Sequence, residues 1–387
     1  MLMQSPRNPS VLHVVENLDR GAVENWLVRM FRYGKAKGWD LDWTFYCTLG
    51  REGALDSEVR SLGGRIVYSP VPIGEKCAFM RALRRELTRG RYDVLHCHHD
   101  LVSAVYLAAS AGLPIPRRLV HVHNADENVL TPNRWKQRLL REPMRRICLM
   151  MANQIVGISQ HTLDTFLRGR KRRPCKDKVH YYGIDPSPFQ KVKVDRVGFR
   201  RELGLPENAL ILLFAGRMVP EKNPLFAVEV LAELKRLRPN VVGIFVGAGS
   251  AEKAVADRAE QLGLGGSFRC LGWRNDVPEI MCCCDWFILP RPERTTEGLG
   301  VAVIEAQLAG LRLLLSLSVA DDPLLPTACV KRLTLADGPA AWGHAALKLL
   351  DSSPSREDAI RALQNSPFDM NFAFRQLAQL HEFHQSS

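Results

Sequence analysis

The sequence predicts an α/β protein with two Rossmann-like units, each a doubly wound parallel sheet. Three observations predict it. Short β-branched runs alternate with longer amphipathic segments; the alternation restarts after Val194; and Gly183–Val194, GIDPSPFQKVKV, breaks both periodicities with two prolines and mixed charge. Strict alternation of strand and helix implies parallel sheets covered by helices on both faces, and the restart implies two of them.

In the first half the expected strands are VLHVV (Val11–Val15), LDWTFYC from Leu41, RIVYSP from Arg65, DVLHCH from Asp93, RLVHVHN from Arg118 and QIVGIS from Gln154. Between the first two lies AVENWLVRMFRYGKAKG, where Val23, Trp26, Leu27 and Met30 fall on one helical face. After the join come LILLFAG from Leu210, VVGIFVGAG from Val241, WFILP from Trp286 and LRLLLSLS from Leu311. The expected domains are 1–190 and 191–365, followed by a closing segment 366–387 in which Phe372, Phe374, Leu377 and Leu380 make one apolar helical face.

With 387 residues, 46% of them hydrophobic, the chain is long enough for two cores. Its first residues lack a charged start followed by an apolar run, and no uncharged stretch approaches the roughly 18–20 residues that cross a bilayer, so a cytoplasmic protein is expected. The ten cysteines include no CxxC pair, and Cys282, Cys283 and Cys284 are consecutive in an apolar segment, which predicts reduced, buried thiols. The net charge of +12 is concentrated in Arg134–Arg146 (RWKQRLLREPMRR) and Arg168–Lys178 (RGRKRRPCKDK). Such clusters suit phosphate-rich partners, although a solvated helix face and a basic loop account for them equally well. No aromatic interleaving or zinc-finger spacing points to nucleic acid.

In open parallel sheets ligands collect at the carboxyl ends of strands. After LILLFAG comes RMVPEKNP, so Arg217 and Lys222 follow Gly216 at a strand end, where they could clamp a diphosphate. After VVGIFVG, the small residues Ala248, Gly249 and Ser250 let a backbone approach a ligand. After WFILP, the stretch TTEGLGVAVIEAQLAG (Thr295–Gly310) sets Glu297 and Glu305 eight positions apart. There Gly298, Leu299 and Gly300 lead into a helix at about Val301, whose N-terminal N–H groups suit a phosphate. Glu305, in the second turn, could take the hydroxyls of a ribose, and Glu297 those of a sugar; a capping acid and an exposed acid are the plainer reading.

The spacing Glu-x7-Glu together with GRMVPEKNP, VGAGS, LGWRNDVPEIMCCCDWFILP and VIEAQLAG resembles the donor-binding half of glycosyltransferase family 4, retaining enzymes of the GT-B fold. LDRGAVENWLVRMFR resembles the glycine-rich loop and helix of the exopolysaccharide and capsule branch, and YDVLHCHH, VHVHN, IVGIS and VHYYGIDPSPF follow in the family's order. The resemblance spans roughly Val11 to Ser316. It implies a first domain that binds acceptor, a second that binds nucleotide sugar, a cleft between them, and a final helix that packs back on the first. It implies that Arg217 and Lys222 hold the donor diphosphate, Glu305 the ribose and Glu297 the transferred sugar, with Gly216, Gly249 and Gly298–Gly300 shaping the donor site. His123 would sit near the anomeric carbon, and Gly21 would let the first domain close on the phosphates. Two fixed cations and a helix N-terminus meet the charge of the leaving diphosphate, so no divalent metal is required.

Two departures stand out: Gly21-Ala22 where the family carries two glycines, and the longer RPERTT (Arg291–Thr296) before Glu297. Asp40 and Asp42 open a strand and are expected to be structural. His96 and His98 of HCHH project from one face of a strand and invite a metal, but no carboxylate or cysteine cluster completes a site. His98, His99 and Asn124 are therefore expected at the acceptor. The resulting expectation is transfer of a hexose or N-acetylhexosamine, with retention, from a nucleotide sugar, most simply a UDP-sugar, to a lipid-linked or oligosaccharide acceptor. Rivals are a nucleotide-sugar epimerase of the same fold and a sugar-nucleotide-binding protein without turnover. Trp135, Leu139, Leu140 and Ile147 among the first basic run predict peripheral docking on an anionic membrane surface.

Overall fold

The computed structural model describes residues 8–19, 21–124, 134–293 and 297–383, apart from the side chains of 134–138. Its chain divides into two compact units, Met1–Gly183 with Met370–Ser387, and Ile184–Asp369. The expected borders at 190/191 and 365/366 both fall inside the second unit. The reason is local pairing: the Ile184 N–H donates to the Phe368 carbonyl at 2.9 Å, and Ile184 bridges Asp369, so the two crossings lie side by side. The proline-rich stretch marks a short helix, Ser187–Lys191, just past the first crossing.

The first unit holds β1 (Ser10–Val15), β2 (Asp42–Cys47), β3 (Arg65–Tyr68), β4 (Val94–Cys97), β5 (Arg117–Val122), β6 (Gln154–Gly157) and β7 (Asp177–Val179) in the order β3-β2-β1-β4-β5-β6-β7. In the second, β8 (Leu210–Ala215), β9 (Val241–Val246), β10 (Phe268–Gly272), β11 (Trp286–Leu289), β12 (Arg312–Ser316) and β13 (Val330–Leu333) run β10-β9-β8-β11-β12-β13. All pairings are parallel. Strand order therefore reverses between β1 and β4 and again between β8 and β11, and those two switch points are where such sheets bind ligands.

Helix Ala22–Ala36 buries Trp26, Leu27, Met30 and Phe31 on the first sheet, with Phe31 stacked on Trp43 at 5.1 Å. The closing helix Met370–His381 lies against it. A Cβ on Gly34 would sit 2.5 Å from the Phe374 ring, so only glycine allows this approach. Asp42 pairs with Arg65 across β2 and β3 at 2.9 Å and has a structural role. Cys282, Cys283 and Cys284 are buried free thiols, whereas Cys77, Cys175 and Cys270 are exposed.

The same face of the first sheet carries an unusual core. Register sets His13 of β1 beside His96 of β4, and His121 of β5, His98, His123, His180 and His381 gather around them, none more than 4% exposed. Burial pushes these imidazoles down, His180 to about 4 and His123 and His381 to about 3, so the rings are neutral at physiological pH. Because the folded values lie below the unfolded value of about 6.5, the stability they carry is present above pH 6.5 and is lost as the unfolded chain takes up protons below it. Between pH 7.5 and 5.5 each such histidine costs about 1.4 kcal/mol, so several together approach a typical folding free energy of roughly 5–15 kcal/mol. Urea midpoints are expected to fall steeply over this range; a flat profile would contradict the neutral core.

Candidate functional site

In the second unit the loops leaving β8 and β11 meet at the switch point. Gly216 ends β8, and its N–H donates to the Val246 carbonyl of β9 at 3.0 Å. Met218 N–H then donates to Ala248 at 3.0 Å, and a Cβ on Gly249 would fall 2.3 Å from the Met218 carbonyl, so the two loops touch through bare backbone. Arg217 is left exposed beside them, and Lys222 follows in a 3₁₀ turn, Pro220–Lys222.

From the β11 side, Glu297 reaches both cations of the cluster. Its Oε2 accepts from Lys222 Nζ at 2.6 Å and from Arg291 Nη1 at 2.6 Å, with Glu297 and Lys222 each 16% exposed and Arg291 5%. Burial alone would raise the carboxyl, but Lys222 and Arg291 outweigh it and hold Glu297 below the ordinary glutamate value. Burial likewise lowers Lys222, opposed by Glu297. Gly298 and buried Leu299 lead to Gly300, whose φ of +76 caps helix Val301–Leu308 and whose added Cβ would crowd the Glu297 side chain at 3.3 Å. Glu305 stands partly buried in the second turn. Of the RPERTT stretch, residues 294–296 lie outside the described residues.

At the first unit's switch point the histidines after β4 and β5 form a chain. His13 Nδ1 lies 3.0 Å from His98 Nε2, His98 Nδ1 lies 3.0 Å from His123 Nε2, and His123 Nδ1 lies 2.6 Å from the Tyr182 hydroxyl. Both ring nitrogens of His98 and of His123 are thus engaged inside the unit. His99 is partly buried and meets the Tyr106 hydroxyl, and burial lowers it to about 4. Asp100, at φ +43, accepts from the backbone N–H of His123 at 2.7 Å and from Asn124 Nδ2 at 3.0 Å, fixing the loop after β5.

Residues 23–188 match the family described as Glycosyltransferase Family 4, and residues 195–319 match Glycosyl transferases group 1. The chain belongs to glycosyltransferase family 4. This glycosyltransferase is 26% identical over 366 residues to EpsF of Bacillus subtilis, covering 93% of this chain and 92% of that protein. It is 26% identical over 273 residues to an Escherichia coli UDP-Gal:alpha-D-GlcNAc-diphosphoundecaprenol alpha-1,3-galactosyltransferase, covering 68% and 67%. In fold it is similar to Anabaena Alr3699/HepE solved with UDP, with a TM-score of 0.78 and 18% identity over 96% of this chain and 98% of that one, and the fold is GT-B.

Of the residues singled out from sequence, the glycosyltransferase brings together Lys222, Glu297, Gly216, Gly249 and Gly300, with Arg217 and Glu305 on the adjoining loop and helix. His98 does not present a free ring nitrogen to an acceptor, because His13 and His123 take both. Nor does Gly21 use a glycine's freedom: its φ is −74, and an added Cβ would meet only the movable Glu24 carboxylate. Arg291, Asp100 and Tyr182 were not assigned roles from sequence. Arg291 stood out only as part of a longer loop, and the other two carried no motif beyond their place after strands. Replacing Glu297 with alanine takes the carboxylate from the largely buried Lys222 and is expected to cost about 3 kcal/mol of stability, whereas exposed Arg217→Ala costs under about 0.5. Urea unfolding of the two variants separates them, and equal, small losses would contradict the pairing.

Proposed function

We propose that this glycosyltransferase transfers a hexose or N-acetylhexosamine from a UDP-sugar to a lipid-linked or oligosaccharide acceptor in polysaccharide biosynthesis, with retention of anomeric configuration. The observation that carries the reading is the Glu297 carboxylate held by Lys222 and Arg291 at the second switch point, with Arg217 exposed beside it. In this reading the second domain (191–365) binds donor and the first (1–190) binds acceptor through His99 and Asn124.

An arriving diphosphate competes with Glu297 for Lys222 and adds Arg217 as a second cation, so leaving-group charge is met by fixed positive groups. Arg291 keeps Glu297 ionised and in place when Lys222 is drawn away, which leaves its second oxygen for the sugar hydroxyls. Glu305 takes the ribose. His123, fixed by His98 and Tyr182, is the first unit's candidate for action at the anomeric carbon. The UDP bound in HepE and the UDP-galactose donor and diphosphoundecaprenol acceptor named for the E. coli relative support the donor and acceptor classes.

The reading places the enzyme in the cytoplasm, at the inner face of the membrane. No described helix is long and apolar enough to span a membrane. Helix Arg134–Met151 exposes Leu139 and Leu140, and helix Lys76–Gly90 exposes Arg81, Arg85 and Arg89 one turn apart. The second basic run contributes less, since Arg170, Arg172 and Arg173 pair with Glu142, Asp164 and Asp177.

Released UDP, measured over a panel of donors and acceptors, tests the function, and epimer formation from UDP-sugar alone would contradict it. Arg217→Ala and Lys222→Ala are each expected to lower turnover on the order of 10²–10³ in folded protein. Near-normal turnover in the double variant would overturn the site. Chelator is expected to leave turnover intact, and loss that Mg²⁺ or Mn²⁺ restores would contradict a metal-free donor site. At about 1 kcal/mol per basic residue near the surface, reversal of Arg134, Lys136, Arg138 and Arg141 should abolish sedimentation with anionic vesicles at low salt. Equal pelleting on neutral vesicles would remove the membrane surface.

A further inference from the structure

The buried histidines of the first unit leave ring nitrogens without partners. His13, His96 and His381 are each fully buried, and one ring nitrogen from each lies within 4.8 Å of the other two. His13 Nε2, which faces this cluster, has no hydrogen-bond partner, although an unpaired buried polar atom is costly and rare. The rings come from β1, β4 and the closing helix, three elements far apart in sequence. We propose that His13, His96 and His381 bind one divalent transition-metal ion, zinc being the best match, inside the first unit.

The donor set selects the class of ion. Three imidazoles with no carboxylate suit zinc, cobalt or copper and do not suit magnesium or calcium, which take oxygen. Burial keeps the three rings neutral, with lone pairs available. Zn–N bonds of about 2.0–2.1 Å place neighbouring ligand atoms roughly 3.3 Å apart, close to the 2.9 Å between His96 Nδ1 and His381 Nε2. A tetrahedral ion has a fourth position for hydroxide, which lowers the charge carried into the core.

For two of the three ligands the surrounding rings supply what ligating histidines require, a hydrogen bond on the other nitrogen. His13 Nδ1 faces His98 Nε2 at 3.0 Å, and His96 Nε2 faces His121 Nδ1 at 3.2 Å. With metal on His13 Nε2, the proton of His13 sits on Nδ1 and is donated to His98. His98 then donates from Nδ1 to His123, and His123 from Nδ1 to the Tyr182 oxygen. The ion would thus set one tautomer along the chain and leave the Tyr182 hydroxyl proton free to donate elsewhere. A second triad, His96, His98 and His121, shares His96, so filling both would require His96 as a bridging imidazolate. It is the weaker one, because His98 has both nitrogens engaged by His13 and His123.

The test uses full-length, tag-free protein refolded with Zn²⁺ or Co²⁺ and passed through gel filtration. One ion per chain is expected by elemental analysis, with the visible absorption of tetrahedral cobalt and a higher melting temperature than the chelator-treated protein. His381→Gln should lose the ion, while His180→Gln, in the same core but outside the triad, should keep it. Metal-free wild-type protein after refolding with either ion would overturn the site, whatever the variants do. Equal retention by His381→Gln would also overturn it and would point to exposed cysteines. If His381→Gln does not fold, the wild-type ion content and cobalt spectrum decide.

Discussion

The second unit is organised around one carboxylate shared by two cations. Glu297 accepts from Lys222 after β8 and from Arg291 after β11. A single oxygen thereby ties together the two loops that flank the reversal of strand order. A lone buried glutamate would protonate, and a lone buried lysine or arginine would unfold the loop that carries it. Together they form a charged cluster, and an anion entering beside exposed Arg217 meets the cations that Glu297 holds in place. The glycines serve this cluster: Gly249 lets the β8 and β9 loops touch, and Gly300 turns the chain so that Glu297 faces inward.

The first unit solves a different problem with polar groups. Its sheet packs on helices Ala22–Ala36 and Met370–His381 through imidazoles, where aliphatic side chains would ordinarily lie. Neutral rings pair nitrogen to nitrogen, and Trp26 closes over them, stacked on Tyr182 at 4.8 Å. The two units therefore differ in what holds their switch points: ion pairing in the second, and neutral hydrogen bonds in the first. Acid acts on them unequally, because the histidines gain charge on unfolding well before Glu297 loses its own.

The alternation of strand and helix was legible because central parallel strands are apolar on both faces, as in VLHVV and LILLFAG. The three strands that the periodicity did not reveal, β7, β10 and β13, all lie at a sheet edge, short and partly exposed, and β7 overlaps the end of a basic run. Arg217, Lys222, Glu297 and Glu305 were legible as strand-end residues with local spacing. The partner that holds Glu297 from its own loop, Arg291, was visible only as a departure in loop length, since which cation turns inward is a tertiary matter. The histidine core was hidden for the same reason. HCHH drew notice, but its partners at His13, His121, His180 and His381 are scattered along the chain and meet only through sheet register and the returning helix.

The most direct test of the account is the structure of the enzyme with UDP bound. The diphosphate is expected to contact Lys222 Nζ and the Arg217 guanidinium, with the ribose on Glu305 and Arg291 still on Glu297. A nucleotide bound elsewhere, or a diphosphate that leaves Lys222 on Glu297 and touches neither cation, would contradict it.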